Sequence, residues 1–196
     1  MWNDTVTVYI DDTSIRLMVS YHKRIKKWAD VRLEPGLVKN GVVLKENEVA
    51  AQIKKLVLTQ EVKTKKIILG YSGLHSLTRP LSLPPLPKSM LPEAVAREAR
   101  RVLPVPLEQL YLTWRVMPSS KGKTQVFVAA TPRKSSDSLI KAVRAGGLEP
   151  YRMAIKPLVL TKALTVNDAM LIDLQPGEFD IVIMMKGVPQ PIRTVP

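Results

Sequence analysis

Cysteine is absent from this chain, so disulfides, zinc thiolates and thiol nucleophiles are excluded from its chemistry. That suits a reducing compartment such as the cytoplasm. Aromatic residues amount to only 5%, and nowhere do they interleave with basic residues as a base-stacking platform requires. The two histidines, His22 and His75, stand alone with no metal-ligand spacing. No apolar run reaches the roughly eighteen residues that would cross a bilayer. The opening Met-Trp-Asn-Asp lacks the basic and apolar regions of a secretion signal. GxSxG, Walker A and HExxH motifs are missing, and Ser135 and Ser136 have no histidine near them in sequence. Acidic residues are scarce too: 17 against 30 basic ones leave a net charge of +13. Such a surface attracts nucleic acid, acidic protein or an anionic membrane face. The basic residues are scattered, with short clusters at 22–27, at 63–66 and at Arg97, Arg100 and Arg101. Charge alone reads no base sequence, so a solvated surface is favoured over a nucleic-acid site.

What the chain does have is one pattern used twice. An apolar strand runs into an aspartate, turns and returns in TVTVYIDDTSIRLMV (5–19) and again in MLIDLQPGEFDIVIMM (170–185). A two-lobed nucleotide fold uses this pattern to hold a triphosphate. The strand-end carboxylate holds a hydrated magnesium, and the turn N–H groups face phosphate oxygens. Glycine is needed there, because a side chain keeps the backbone too far from phosphate. The first turn, Asp11-Asp12-Thr13-Ser14, has none, and the second places Gln175 and Pro176 where the turn is expected to be tightest. Asp11, Thr13, Ser14, Asp173 and Gln175 are therefore a vestigial phosphate site. The plainer role for Asp11 and Asp173 is to end a strand and cap its turn.

Periodicity sets the remaining elements. Val6, Val8, Ile10, Ile15, Leu17 and Val19 alternate with polar residues, which predicts two strands, and a third follows a turn at 24–27. Val49, Ile53, Leu56 and Val57 make one helical face over 46–60. A buried strand at 66–70 then closes a βαβ crossover. A β-α-β-β-α module is expected over 77–147: strand 77–83, helix 92–102, strands 110–117 and 125–131 around a turn at 119–123, and a helix capped by Ser135 or Ser136 and stopped by Gly146-Gly147. A strand at 151–155, a short helix at 157–164 and the second aspartate hairpin complete the chain. The fold class is mixed α/β with an inserted module.

The ordered series Ile10-Asp11, LVKNGVV (37–43), LTRPLSLP (77–84), EARRVLPVPL (98–107), VAATP (128–132), AGGLEP (145–150) and Leu171-Ile172-Asp173 resembles the PilM family. These are actin-like proteins of type IV pilus assembly, with a more distant likeness to FtsA. The resemblance runs along essentially the whole chain. It implies an actin-like, ribonuclease-H-like lobe with residues 1–75 and 150–168 as subdomain 1A. Residues 76–149 would be the inserted subdomain 1C, and 169–196 the start of a truncated subdomain 2A. It also implies a cytoplasmic protein peripheral to the inner membrane. Such a protein holds the N-terminal peptide of a PilN-like membrane protein in a groove between 1A and 1C.

Arg97, Arg101, Leu103, Pro104 and Pro106 are the groove candidates. The alternatives are that the arginines form a solvated helix face and that Leu103, with Leu81, Leu83 and Val105, belongs to the core. The family's phosphate turns carry glycine; none follows Asp11 in the first turn here, and Gln175 replaces it in the second. No cofactor is therefore expected, and ATP with magnesium enters only if a two-lobed parent is intact. The leading expectation is a non-enzymatic scaffold of a type IV pilus or related type II secretion platform, with anionic membrane and self-association as further contacts. The alternatives are an ATP-binding switch in a longer parent chain and a basic nucleic-acid-binding module.

Overall fold

The computed structural model describes residues 4–22, 24–117 and 122–195. The chain opens with strands β1 (Thr5–Ile10), β2 (Ser14–Tyr21) and β3 (Arg24–Arg32), followed by the short pair β4 (Val38–Lys39) and β5 (Val42–Val43). Helix α1 (Glu46–Thr59) and strand β6 (Lys66–Tyr71) come next. Then follow β7 (Leu77–Leu83), α2 (Leu91–Val102), β8 (Leu110–Met117), β9 (Thr124–Pro132), α3 (Arg133–Ala145) and β10 (Glu149–Ile155). The last elements are α4 (Lys156–Leu160), β11 (Ala169–Gln175), β12 (Glu178–Met185), β13 (Val188–Pro189) and β14 (Arg193–Val195). Among the described residues no helix is long and apolar enough to cross a membrane.

Three sheets organise the molecule. The largest has the order β10-β6-β1-β2-β3; β1 lies parallel to β6 and antiparallel to β2, so the sheet is mixed as expected. The alternating residues Val6, Val8, Ile10, Ile15 and Leu17 are at most 2% exposed and pack beneath α1. A second sheet, β7-β9-β8, carries α2 on one face. Its central strand β9 is apolar on both faces. Val126 and Val128 meet α2, while Phe127 and Ala129 join the core of the large sheet. The third sheet is β11-β12-β13, with β14 also paired to β12.

Four local expectations need correction. The turn predicted at 24–27 is strand: the hairpin closes by His22 (φ 45°), and a bulge between Val19 and Ser20 resets the register. Basic residues fit there because β3 is an exposed edge, where lysine discourages pairing with another chain. Helix α3 begins at Arg133, so Ser135 and Ser136 sit inside its first turn and do not cap it. Ser136 is instead buried against the Thr131 hydroxyl at 3.3 Å. The short helix predicted at 157–164 is helical only to Leu160 and continues as a tighter turn over 161–163. The second aspartate hairpin turns at Pro176-Gly177, with Gln175 still paired to Glu178. Pro176 and Gly177 (φ 88°) suit the two central positions of a type II turn. The turn predicted at 119–123 falls partly outside the described residues. Helix α3, expected as the last element of the inserted module, packs its Leu139, Ala142 and Val143 in the large core with α1.

Candidate functional site

The first aspartate turn is closed on itself. Asp11 Oδ1 accepts the N–H groups of Thr13 and Ser14, each at 2.8 Å, and the Thr13 hydroxyl at 2.8 Å. Asp11 N–H donates to Ser14 C=O at 3.1 Å, and Thr13 C=O accepts Leu33 N–H at 2.8 Å. The donors that would face a phosphate thus serve the turn's own carboxylate. Neighbouring Asp12 accepts the N–H groups of Asn40 and Gly41 at 2.6 and 2.9 Å and pins that left-handed turn.

The second turn is closed from outside. Lys156, at the start of α4 and 11% exposed, places its Nζ among three carboxylates of one hairpin. It forms ion pairs with Asp173 Oδ2 and Asp180 Oδ2, both at 3.0 Å, and donates a hydrogen bond to Glu178 Oε1 at 3.2 Å. Each acid's other oxygen also has a donor. Gln175 Nε2 gives to Asp173 Oδ1 at 3.0 Å, Ser72 Oγ to Glu178 Oε2 at 2.5 Å, and Thr194 Oγ1 to Asp180 Oδ1. Asp180 is fully buried. Arg16 joins the two turns: one guanidinium nitrogen lies 3.4 Å from Asp11 Oδ2, and the other donates to Gln175 Oε1 at 3.1 Å. Tyr9 packs its ring between the Arg16 and Lys156 cations, and burial holds its hydroxyl well above the usual tyrosine range.

The proton affinities follow from this packing. Burial alone would favour neutral Lys156, but the carboxylates of Asp173 and Asp180 outweigh it and raise its pKa above the ordinary lysine value. Burial likewise works to raise Asp173, and the Lys156 ammonium with the Gln175 amide holds it below the ordinary carboxylate range. Gly73 lets the loop after β6 come this close: a Cβ there would strike Thr194 and Pro157.

The structure therefore brings Asp11, Thr13, Ser14, Asp173 and Gln175 to one junction, but the first turn's N–H groups are spent on Asp11, Gln175 is held by Arg16 and Asp173, and Asp173 faces the Lys156 ammonium. A magnesium–nucleotide needs open carboxylate oxygens and turn N–H groups, and these residues do not fit one. Among the described residues, no group of three His, Asp or Glu side chains could hold a metal ion, the three acids of the second hairpin being turned on Lys156. Lys156, Arg16, Ser72 and Thr194 were not among the candidates legible in the sequence. The available signal was a single lysine within the apolar stretch MAIKPLVL, followed by three acids on one hairpin.

Beside this junction lies a groove of about 640 Å³. Its walls come from β8, β9, β10, α4 and the third sheet, and Trp114, Phe127, Met153, Leu158 and Met184 supply apolar surface. Strands β8 and β10 are both sheet edges, so each has a backbone edge without a strand partner. The Tyr71 hydroxyl in the groove is pushed up to about 12 by burial. Arg115, Arg152 and Lys162 also line it, and no carboxylate does among the described residues. The predicted groove residues lie elsewhere. Arg97, Pro104 and Pro106 are exposed, Arg101 pairs with Glu98 on the surface of α2, and Leu103 is buried in the core beside that helix. None of the five lines the groove.

A model of the type IV pilus assembly protein PilM family matches residues 11–188. The solved PilM-PilN type IV pilus biogenesis complex contains a chain 25% identical to this one, with a TM-score of 0.84, over 100% of this chain and 62% of that one. The cytoplasmic domain of EpsL, an inner-membrane component of the Vibrio cholerae type II secretion system, is 9% identical with a TM-score of 0.65, over 96% and 71% of the two chains. A Bacteroides thetaiotaomicron protein with an actin-like ATPase fold is 9% identical with a TM-score of 0.54, over 99% and 70%. These last two likenesses establish the actin-like fold and no more. A search of curated protein sequences finds no match.

Proposed function

The chain belongs to the PilM family of type IV pilus assembly proteins, and we propose that it is a non-enzymatic cytoplasmic scaffold that captures the N-terminal peptide of a PilN-like inner-membrane protein. The observation that carries this is the apolar groove between two unpaired sheet edges. An extended peptide would add main-chain hydrogen bonds along β8 or β10, while alternate side chains enter the groove. Arg115, Arg152 and Lys162 favour a peptide with acidic side chains beside its apolar ones. The junction of the aspartate turns supports the non-enzymatic part, since the first turn's N–H groups bond Asp11 and the acids of the second face Lys156.

Calorimetric titration with the cytoplasmic N-terminal peptide of a PilN-like protein tests the proposal. Binding is expected, weakened by salt through the three cations, and lost in Met153→Asp, which puts a carboxylate on the groove floor. Absence of heat with folded protein would remove the peptide-capture reading and leave only the family and the fold.

A further inference from the structure

Three carboxylates on one hairpin, one of them fully buried, normally demand a cation. One ammonium faces all three: Lys156 Nζ forms ion pairs with Asp173 Oδ2 and Asp180 Oδ2 at 3.0 Å each and donates a hydrogen bond to Glu178 Oε1 at 3.2 Å. This is the place where the two aspartate turns meet through Arg16 and Gln175. We propose that Lys156 is a tethered cation standing where a bound metal would otherwise sit among the three acids of the second hairpin, so that the chain closes this joint between the hairpin and α4 by itself and without nucleotide.

The joint has a mechanical consequence. Lys156 opens α4, whose Leu158 and Val159 line the groove. Two of its partners, Glu178 and Asp180, lie on β12, whose Met184 lines the groove as well. One ammonium therefore couples two walls of the groove and fixes their spacing, which makes Lys156 a positioning residue that need not touch the peptide. The link to the groove rests on peptide capture; the joint itself does not.

Amide hydrogen exchange on the full chain tests the joint, using wild type and Lys156→Ala, each with sodium, with magnesium at matched ionic strength, and with magnesium plus ATP. Wild type should exchange identically in all three. Lys156→Ala should exchange about tenfold faster or more over 156–163 and 178–185, with β6 unchanged as the internal reference. Magnesium should restore the variant, because removing the ammonium frees three carboxylates and space for a hydrated divalent ion. Lys156→Gln, which keeps a donor and most of the volume, should show the same magnesium dependence and decides the matter if the alanine variant does not fold. Protection of wild type by magnesium or ATP, or rescue of neither variant by magnesium, would overturn the proposal. Peptide titration of the same proteins separates the two ideas. The variant should bind several-fold more weakly in sodium and recover in magnesium, whereas a wild type that binds no peptide would sink the groove reading and leave the exchange result standing.

Discussion

The two aspartate hairpins share a sequence pattern and are held by opposite means. In the first, Asp11 bonds to residues two and three positions away, so four consecutive residues make the whole turn. In the second, the stabilising groups arrive from distant segments: Ser72 from the loop after β6, Lys156 from α4 and Thr194 from β14. A turn that satisfies itself is local and can form early. A hairpin with three carboxylates is a net anion until the rest of the chain folds around it. The same motif thus ends in a rigid cap at one place and a tertiary joint at the other.

The largest expected break in this contrast is Asp180→Ala. It takes one of three carboxylates from Lys156, leaves the Thr194 hydroxyl without its acceptor, and should cost roughly 3 kcal/mol by chemical denaturation. Asp11→Ala removes hydrogen bonds to a charged acceptor within one turn and should cost about 2 kcal/mol, with exchange changes confined to the neighbourhood of β1 and β2. Spread of that effect into β12 would erase the local-versus-tertiary distinction.

Acid sharpens the comparison further. The folded pKa of Asp173 lies below its ordinary value of 3.8. Its contribution is therefore complete above that value and lost as pH falls through the folded pKa. Thermal unfolding followed from neutral pH to about pH 3 should show this loss, and Lys156→Gln should diminish it, because the ammonium holds the carboxyl ionised. The smallest effect is expected for Arg16→Ala. Its side chain is 40% exposed, and screening limits its ion pair to about 1 kcal/mol or less. A much larger loss would mean that the bridge between the turns, rather than the Lys156 cluster, holds the joint.

Much of the architecture was legible because it depends on neighbours in sequence. Val6, Val8 and Ile10 alternate with Thr7 and Tyr9, and that two-residue period places one face of β1 in the core. The spacing of Val49, Ile53 and Leu56 does the same for α1. The ends of β7 and β8 followed from flanking proline and polar residues. Turn positions were less legible. Nothing local distinguishes Arg24–Lys27 as turn from Arg24–Lys27 as the start of an edge strand, and the bulge at Val19 and Ser20 settles it through pairing with β3.

The candidate site divides in the same way. Sequence pattern alone located both aspartate turns and, by the absence of glycine from the first and Gln175 in its place in the second, pointed away from phosphate binding. It could not place Lys156, because a lysine in an apolar stretch looks the same whether it reaches solvent or a buried acid. Nor could it find the groove, whose walls come from strands that are edges only once the sheets assemble. Side-chain period, turn chemistry and composition act over a few residues and are fixed by the sequence itself. Which cation meets which buried carboxylate, and which strand edge stays open, depends on contacts between separate segments of the chain, 22 residues apart for Lys156 and Glu178 and 106 for Ser72 and Glu178, and only the tertiary structure decides them.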